Sequence, residues 1–297
     1  MAQMSTPLLW ATRLGMGTLT RLIPPLGNRM AWRLFCTSPP SVDAAQDDEY
    51  FLQTHAVSTE IQCEGHTVPV YILKPPSETR MRVLLLHGWG SRATALLGLG
   101  KRFMREGAEV VLFDGPGSGR TGAKQTTLLH MLAVVGKLQM EHGPFDVAVG
   151  HSFGGLAAAH AIEVGALSSC KVLATIGSPN SFEEMTRRLL AELWMPKGVL
   201  QHFSDRVHAL ADRELQSFGI AAALAHLPAE RLAYYCVHDH SDKEVPVSDG
   251  YEIERTLSWV DMEITQGLGH NRILRDAGIQ KRVVEYAEQH FYGLGDS

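Results

Sequence analysis

The chain has 297 residues, 45% hydrophobic and 20% charged, which is the composition of an ordinary globular protein and not of a disordered one. Its 27 basic and 32 acidic residues give a net charge of −5, so no basic excess supports nucleic-acid binding through counterion release. Cys36, Cys63, Cys170 and Cys236 are widely spaced with no Cys-x-x-Cys pair; they read as reduced thiols of a cytoplasmic protein, neither a disulfide framework nor a zinc site.

Residues 1–46 form a distinct N-terminal segment. From Met1 to Val42 there is no Asp or Glu, while Arg13, Arg21, Arg29 and Arg33 are present. At helical spacing Leu8, Leu9, Met16, Leu19, Leu22 and Ile23 share one face with Arg13 and Arg21 opposite, and Pro24-Pro25 stops the helix. Three readings stay open: a helix packed on the domain, a membrane-surface helix, or an organelle transit peptide. A secretory signal does not fit, because Arg13 and Arg21 interrupt the apolar stretch. No window is long and apolar enough to span a membrane.

Residues 47–297 read as one domain in which strands and helices alternate. Val57 to Leu73 has the pattern of a hairpin turning at Glu64-Gly65. Buried strands are expected at Val83–Leu86, Val110–Phe113, Phe145–Val149, Val172–Ile176, Ala233–Val237 and Met262–Thr265, with helices at Ala93–Glu106 and 126–141 between them. Alternation of this kind predicts an α/β fold with a mostly parallel central sheet and helices on both faces. At about 179–231 the alternation stops. That stretch is expected to be a helical cap over the C-terminal sheet edge, with Leu189, Leu190, Leu193, Trp194 and Met195 as either a substrate wall or the cap's own core.

The chemistry concentrates at three loops. Gly150-His151-Ser152-Phe153-Gly154-Gly155 satisfies G-x-S-x-G between an apolar strand and an Ala-rich helix, the setting that exposes a nucleophilic serine on a tight turn. A serine needs a base, and the base an orienting acid. His270 in Gly267-Leu268-Gly269-His270 and Asp242 in the loop after Val237 follow Ser152 in the order Ser, Asp, His, each just past a strand. Asp239 competes with Asp242 for the acid, but it directly follows the strand, where it serves the turn. Donors for an oxyanion are expected from the peptide N–H groups of Phe153 and of Trp89 in His87-Gly88-Trp89-Gly90. His87 and His151 are expected to be turn-packing residues. All these positions lie beyond residue 86, so residues 1–40 are expected to be dispensable for chemistry.

With these residues in place, the chain from roughly Val57 to Tyr292 resembles the α/β-hydrolase superfamily. The elbow, His87-Gly88-Trp89, Asp114-Gly115-Pro116-Gly117 and above all Gly267-Leu268-Gly269-His270-Asn271-Arg272-Ile273-Leu274-Arg275-Asp276 are similar to one group of bacterial serine hydrolases. One departure stands out: after Asp114 the usual pattern has Pro-Gly-His-Gly and then Ser, whereas Ser118 and Thr121 occupy those two places here. The resemblance implies hydrolysis of a small-molecule carboxylic ester or thioester without metal or organic cofactor. Amide hydrolysis by the same triad, and a binding protein on the same scaffold with little turnover, stay open at this point.

Overall fold

The computed structural model describes residues 6–39 and 45–293. After helices α1 (Thr6–Leu22), α2 (Pro24–Cys36) and α3 (Gln46–His55) the chain enters the sheet. The hairpin β1 (Ala56–Cys63) and β2 (His66–Leu73) turns at Glu64-Gly65, both at positive φ (50° and 75°), matching the twist of the paired strands. There follow β3 (Met81–Leu86), α4 (Leu97–Arg105), β4 (Ala108–Phe113), α5 (Leu128–His142), β5 (Val147–His151), α6 (Phe153–Glu163) and β6 (Val172–Ile176). The inserted helices α7 (Phe182–Glu192), α8 (Gly198–Ala211) and α9 (Ile220–Leu224) precede β7 (Ala233–Asp239), α10 (Val247–Thr256), β8 (Asp261–Thr265), α11 (Gly269–Arg272) and α12 (Ala277–Gly293).

Eight strands form one sheet in the order β1-β2-β4-β3-β5-β6-β7-β8, parallel except that β2 runs against both neighbours. Side chains alternate across it and build two cores. Leu84, Leu86, Ala148 and Leu173 face α5 and α6, while Val83, Leu85, Val149 and Ala174 face α4 and α12. Both faces are covered, which explains why these strands read as continuous apolar runs.

Some expected boundaries move. The helix expected from Ala93 begins as a 3₁₀ turn at Ala93–Leu96. The strand expected at Phe145–Val149 is instead Val147–His151, because the Phe145 N–H donates to Gln139 Oε1 (3.1 Å) and stays out of the ladder.

The N-terminal face differs more. Among the described side chains of α1, Met16, Gly17 and Thr20 are buried, whereas Leu22 (75% exposed) and, just beyond the helix, Ile23 (52%) face outward; the side chains of Leu8 and Leu9 lie outside the described residues. Arg13 does not point away from the protein: its Nε donates to Glu192 O at 2.8 Å. The reason is the partner surface. Met16 and Ala31 close on Leu190, Leu193, Met195, Val199 and Phe203 from α7, α8 and the turn between them, so α1 and α2 pack on the inserted helices. Leu190, Leu193 and Met195 therefore belong to the core of that unit and not to a substrate wall. No helix among the described residues is long and apolar enough to cross a membrane.

Candidate active site

Ser152 follows β5 and stands at the N-cap position of α6 with its backbone at φ 51°, ψ −124°. That region costs a residue with a Cβ on the order of 1–3 kcal/mol and persists only where its surroundings enforce it. Here the Ser152 N–H donates to Ile176 O and its own carbonyl accepts the Gly155 N–H, both at 3.0 Å. A Cβ on Gly154 would lie 2.1 Å from Leu86 O, and one on Gly150 would lie 2.3 Å from Gly155 N. Strand, turn and helix close this tightly only with glycine at both places. The Ser152 side chain is partly exposed, and its hydroxyl makes no hydrogen bond among the described residues.

Asp242 and His270 meet beside this turn. His270 Nδ1 lies 2.7 Å from Asp242 Oδ2, with both side chains nearly buried. The other carboxylate oxygen, Oδ1, accepts the N–H groups of Glu244 (2.8 Å) and Val245 (2.9 Å). Burial opposes the Asp242 charge, yet the His270 contact and these backbone donors hold its carboxyl below the usual range. An ionised Asp242 makes Nδ1 the proton-bearing nitrogen of the ring and leaves Nε2 free to accept.

Asp239 has a different task. Its carboxylate accepts from Ser241 N–H, Leu268 N–H, Gly269 N–H and Thr265 Oγ1. Burial alone would raise its carboxyl, but these four bonds outweigh it and bring it down to about 2. It joins the loop after β7 to the loop that carries His270, and it does not touch the imidazole.

His151 completes the support. Its Nε2–H donates to His270 O at 3.0 Å, tying the residue before the nucleophile to the backbone of the base. The two rings lie 4.7 Å apart. Burial first, and the nearby His270 second, lower His151 to about 3, so a neutral ring stands against the base. His87 is likewise neutral by burial, accepting the Gly115 N–H on Nε2 (2.9 Å) and donating from Nδ1 to Gly88 O (2.8 Å). Both histidines brace turns, and His151 also positions His270.

The peptide N–H groups of Trp89 and Phe153 have no backbone partner among the described residues, and Phe153 opens α6, where the first N–H groups lack intrahelical acceptors. Their rings meet edge to face at 5.1 Å. Across from them, Asp114 accepts from Ala93 N–H and Arg120 N–H, and Thr121 Oγ1 donates to Asp114 O at 2.6 Å. This loop is thus well tied with Ser118 and Thr121 in place.

Trp89 opens onto a cavity of about 500 Å³, part of it open to solvent. Its walls include Trp32 and Phe35 of α2, Leu128 and Leu129 of α5, and Phe182, Leu210 and Phe218 of the insertion; no charged residue among the described ones lines it. Phe35 stands at the junction, edge to face with Phe182 (5.4 Å) and Phe203 (5.1 Å) and 6.4 Å from Trp89. The stretch after α2 is laced to the same region, with the Thr126 N–H donating to Cys36 O and the Ser38 N–H to Lys124 O. Residues 1–40 carry none of the groups expected to do the chemistry, but α2 is one wall of the cavity. A polar recess of about 390 Å³ between Glu49, Tyr71, Arg92 and Arg120 touches none of the candidate residues.

Two contributors escaped the sequence reading. Phe35 carries no motif and reaches Trp89 only through the tertiary fold. Glu244 Oε2 lies 4.0 Å from His270 Nε2, and its place two residues after Asp242 was the available signal.

The alpha/beta hydrolase family matches residues 83–277. No curated protein matches the chain. Among solved structures it is similar to an esterase from Pyrococcus furiosus (18% identity, TM-score 0.61, covering 86% of this chain and 99% of the other). It is also similar to an esterase from Exiguobacterium antarcticum (16%, 0.57, 78% and 100%) and to a proline iminopeptidase from Mycobacterium smegmatis (14%, 0.59, 80% and 99%). At such identities the likeness is one of fold.

Proposed function

Since the chain belongs to the alpha/beta hydrolase family, we propose that it is a serine hydrolase acting on a carboxylic ester or thioester with an apolar acyl group. The observation that carries this reading is the 2.7 Å contact of Asp242 with His270 beside the strained Ser152 turn. Ser152 Oγ attacks the carbonyl carbon while His270 Nε2 takes its proton, and Asp242 keeps the imidazole in the required tautomer. The developing oxyanion is met by the N–H groups of Phe153 and Trp89, at the positive end of α6. His270 then protonates the leaving alcohol or thiol, and water activated by the same ring frees the acyl group from Ser152. The apolar wall of the cavity beside Trp89 suits an acyl chain better than the charged amino group of a peptide.

A fluorophosphonate probe should label the wild type at Ser152 and leave Ser152→Ala unlabelled. A panel of p-nitrophenyl esters of graded chain length should be hydrolysed by the first and not the second. Absence of labelling would favour a binding protein on this scaffold. Labelling with turnover of amides but not esters would move the assignment to an amidase.

A further inference from the structure

Seven of the fifteen exposed large hydrophobic side chains among the described residues crowd into residues 10–34, on the outer face of the N-terminal helices. Leu14, Leu22, Ile23, Leu26, Met30 and Leu34 are all between 38% and 75% exposed. On α2 the residues Leu26, Met30 and Leu34 recur every fourth position and form one stripe. The opposite side of that helix is already engaged, with Gly27, Ala31 and Cys36 buried and Phe35 in the aromatic junction. The stripe therefore cannot turn inward without undoing the cavity wall.

Charge singles out the same face. Arg21, Arg29 and Arg33 are exposed, and Arg29 and Arg33 meet no carboxylate among the described residues. Four arginines and no acid give residues 1–42 a charge of +4, which leaves −9 on the remainder of a chain whose net charge is −5. Two copies meeting through this face would set Arg21, Arg29 and Arg33 of one against the same three of the other, since Arg13 is turned toward Glu192. An anionic lipid surface instead supplies both an apolar phase for the leucines and counter-charge for the guanidinium groups.

We propose that α1 and α2 seat the protein on an anionic lipid surface, lying in the interface with Leu26, Met30 and Leu34 inserted and Arg29 and Arg33 at the headgroups. The other side of α2 lines the apolar cavity, so a seated protein has one helix between the lipid and the candidate acyl site. The docking does not depend on the ester reading, because binding is measured without turnover.

The test is flotation of the full chain with vesicles of phosphatidylcholine alone and of phosphatidylcholine mixed with phosphatidylglycerol. The bound fraction is expected to be about tenfold or more higher on the anionic vesicles and to fall steeply with salt, as screening requires. Replacing Leu26, Met30 and Leu34 together by Ser should abolish flotation even at low salt, while labelling of Ser152 by a fluorophosphonate persists. Should that variant fail to fold, R29S with R33S must still lower binding to anionic vesicles and leave the weak binding to neutral ones unchanged. Equal binding to both vesicles, or none to either, overturns the proposal. So does a dimer in light scattering that the same triple substitution dissolves.

Discussion

Asp239 Oδ1 accepts the Gly269 N–H at 2.9 Å, one residue before the histidine that Asp242 orients. Two acids three residues apart thus divide the work: one holds the loop and the other holds the imidazole. Asp242→Asn removes the acceptor that selects the Nδ1–H tautomer and should lower kcat by roughly 10⁴ with folding intact. Asp239→Asn should cost far less, since Asn keeps one acceptor oxygen for the same backbone donors. Steady-state hydrolysis of a p-nitrophenyl ester by the two variants decides between them. If the larger loss falls on Asp239→Asn, the candidate acid is wrongly assigned.

The Asp239 carboxyl also makes an acid-stability prediction. Its folded value of about 2 lies below the ordinary aspartate value of about 4, so its ionised form stabilises the folded state. That contribution is complete above about pH 4 and is lost as the pH falls toward 2. The Tm of the wild type should therefore exceed that of Asp239→Asn at neutral pH, and the difference should shrink between about pH 4 and pH 2. A constant difference across that window would mean that the carboxylate charge is not what holds the loop.

The parts that could be read from the sequence were those written locally. G-x-S-x-G, the runs Val83–Leu86 and Val172–Ile176, and the turn at Glu64-Gly65 each carry their structure within a few residues, through sterics or side-chain period. The contacts that escaped join distant segments. Phe35 meets Phe182 and Phe203 across about 150 residues, and no spacing rule announces such a pair. The α1 face was misjudged for a related reason. Amphipathic spacing identifies the apolar side of a helix, but the surface it packs against decides which side is buried. Here that surface offers Glu192 O to Arg13 and the apolar cluster of Leu190, Leu193 and Met195 to Met16, and Leu22 and Ile23 are left outside.

Selectivity for the acyl chain should follow the cavity and not the most apolar stretch of the insertion. Trp194 is 41% exposed and packs edge to face on Trp10 at 5.0 Å, away from the cavity wall. Trp194→Ala should leave the chain-length profile unchanged. Leu210→Trp, which fills the wall from α8, should shift the preferred p-nitrophenyl ester toward shorter chains, about 10-fold or more in kcat/KM for the longest ester tested. If Trp194→Ala shifts the profile and Leu210→Trp does not, the substrate enters on the other side of the insertion.

Close approach of the first two helices gives a structural test. A Cβ on Gly27 would lie 2.5 Å from the Cα of Thr20, so α2 meets α1 backbone to backbone at that point. Gly27→Leu should prise α1 away and lower the Tm by several degrees, while Ser152 remains reactive to a fluorophosphonate. An unchanged Tm would mean that α1 adds little to the stability of the fold.

Removal of the whole N-terminal segment separates chemistry from substrate binding. Ser152, Asp242, His270, Trp89 and Phe153 all lie outside it, so a truncate beginning at Asp47 retains every group that handles the reacting atoms. It loses Trp32, Phe35 and Cys36 from the cavity, and it uncovers Phe203, Leu193 and Phe182 to water. Exposing these side chains favours aggregation, and the truncate should be less soluble and melt lower than the full chain. In the soluble fraction, kcat/KM for an acetyl ester should change little, because a two-carbon acyl group does not need that wall. For an octanoyl ester it should fall by about 10-fold or more, since an open cavity no longer shields the chain from water. Equal losses on both esters would instead assign α2 to bracing the Trp89 loop, through Phe35, and not to lining the acyl site.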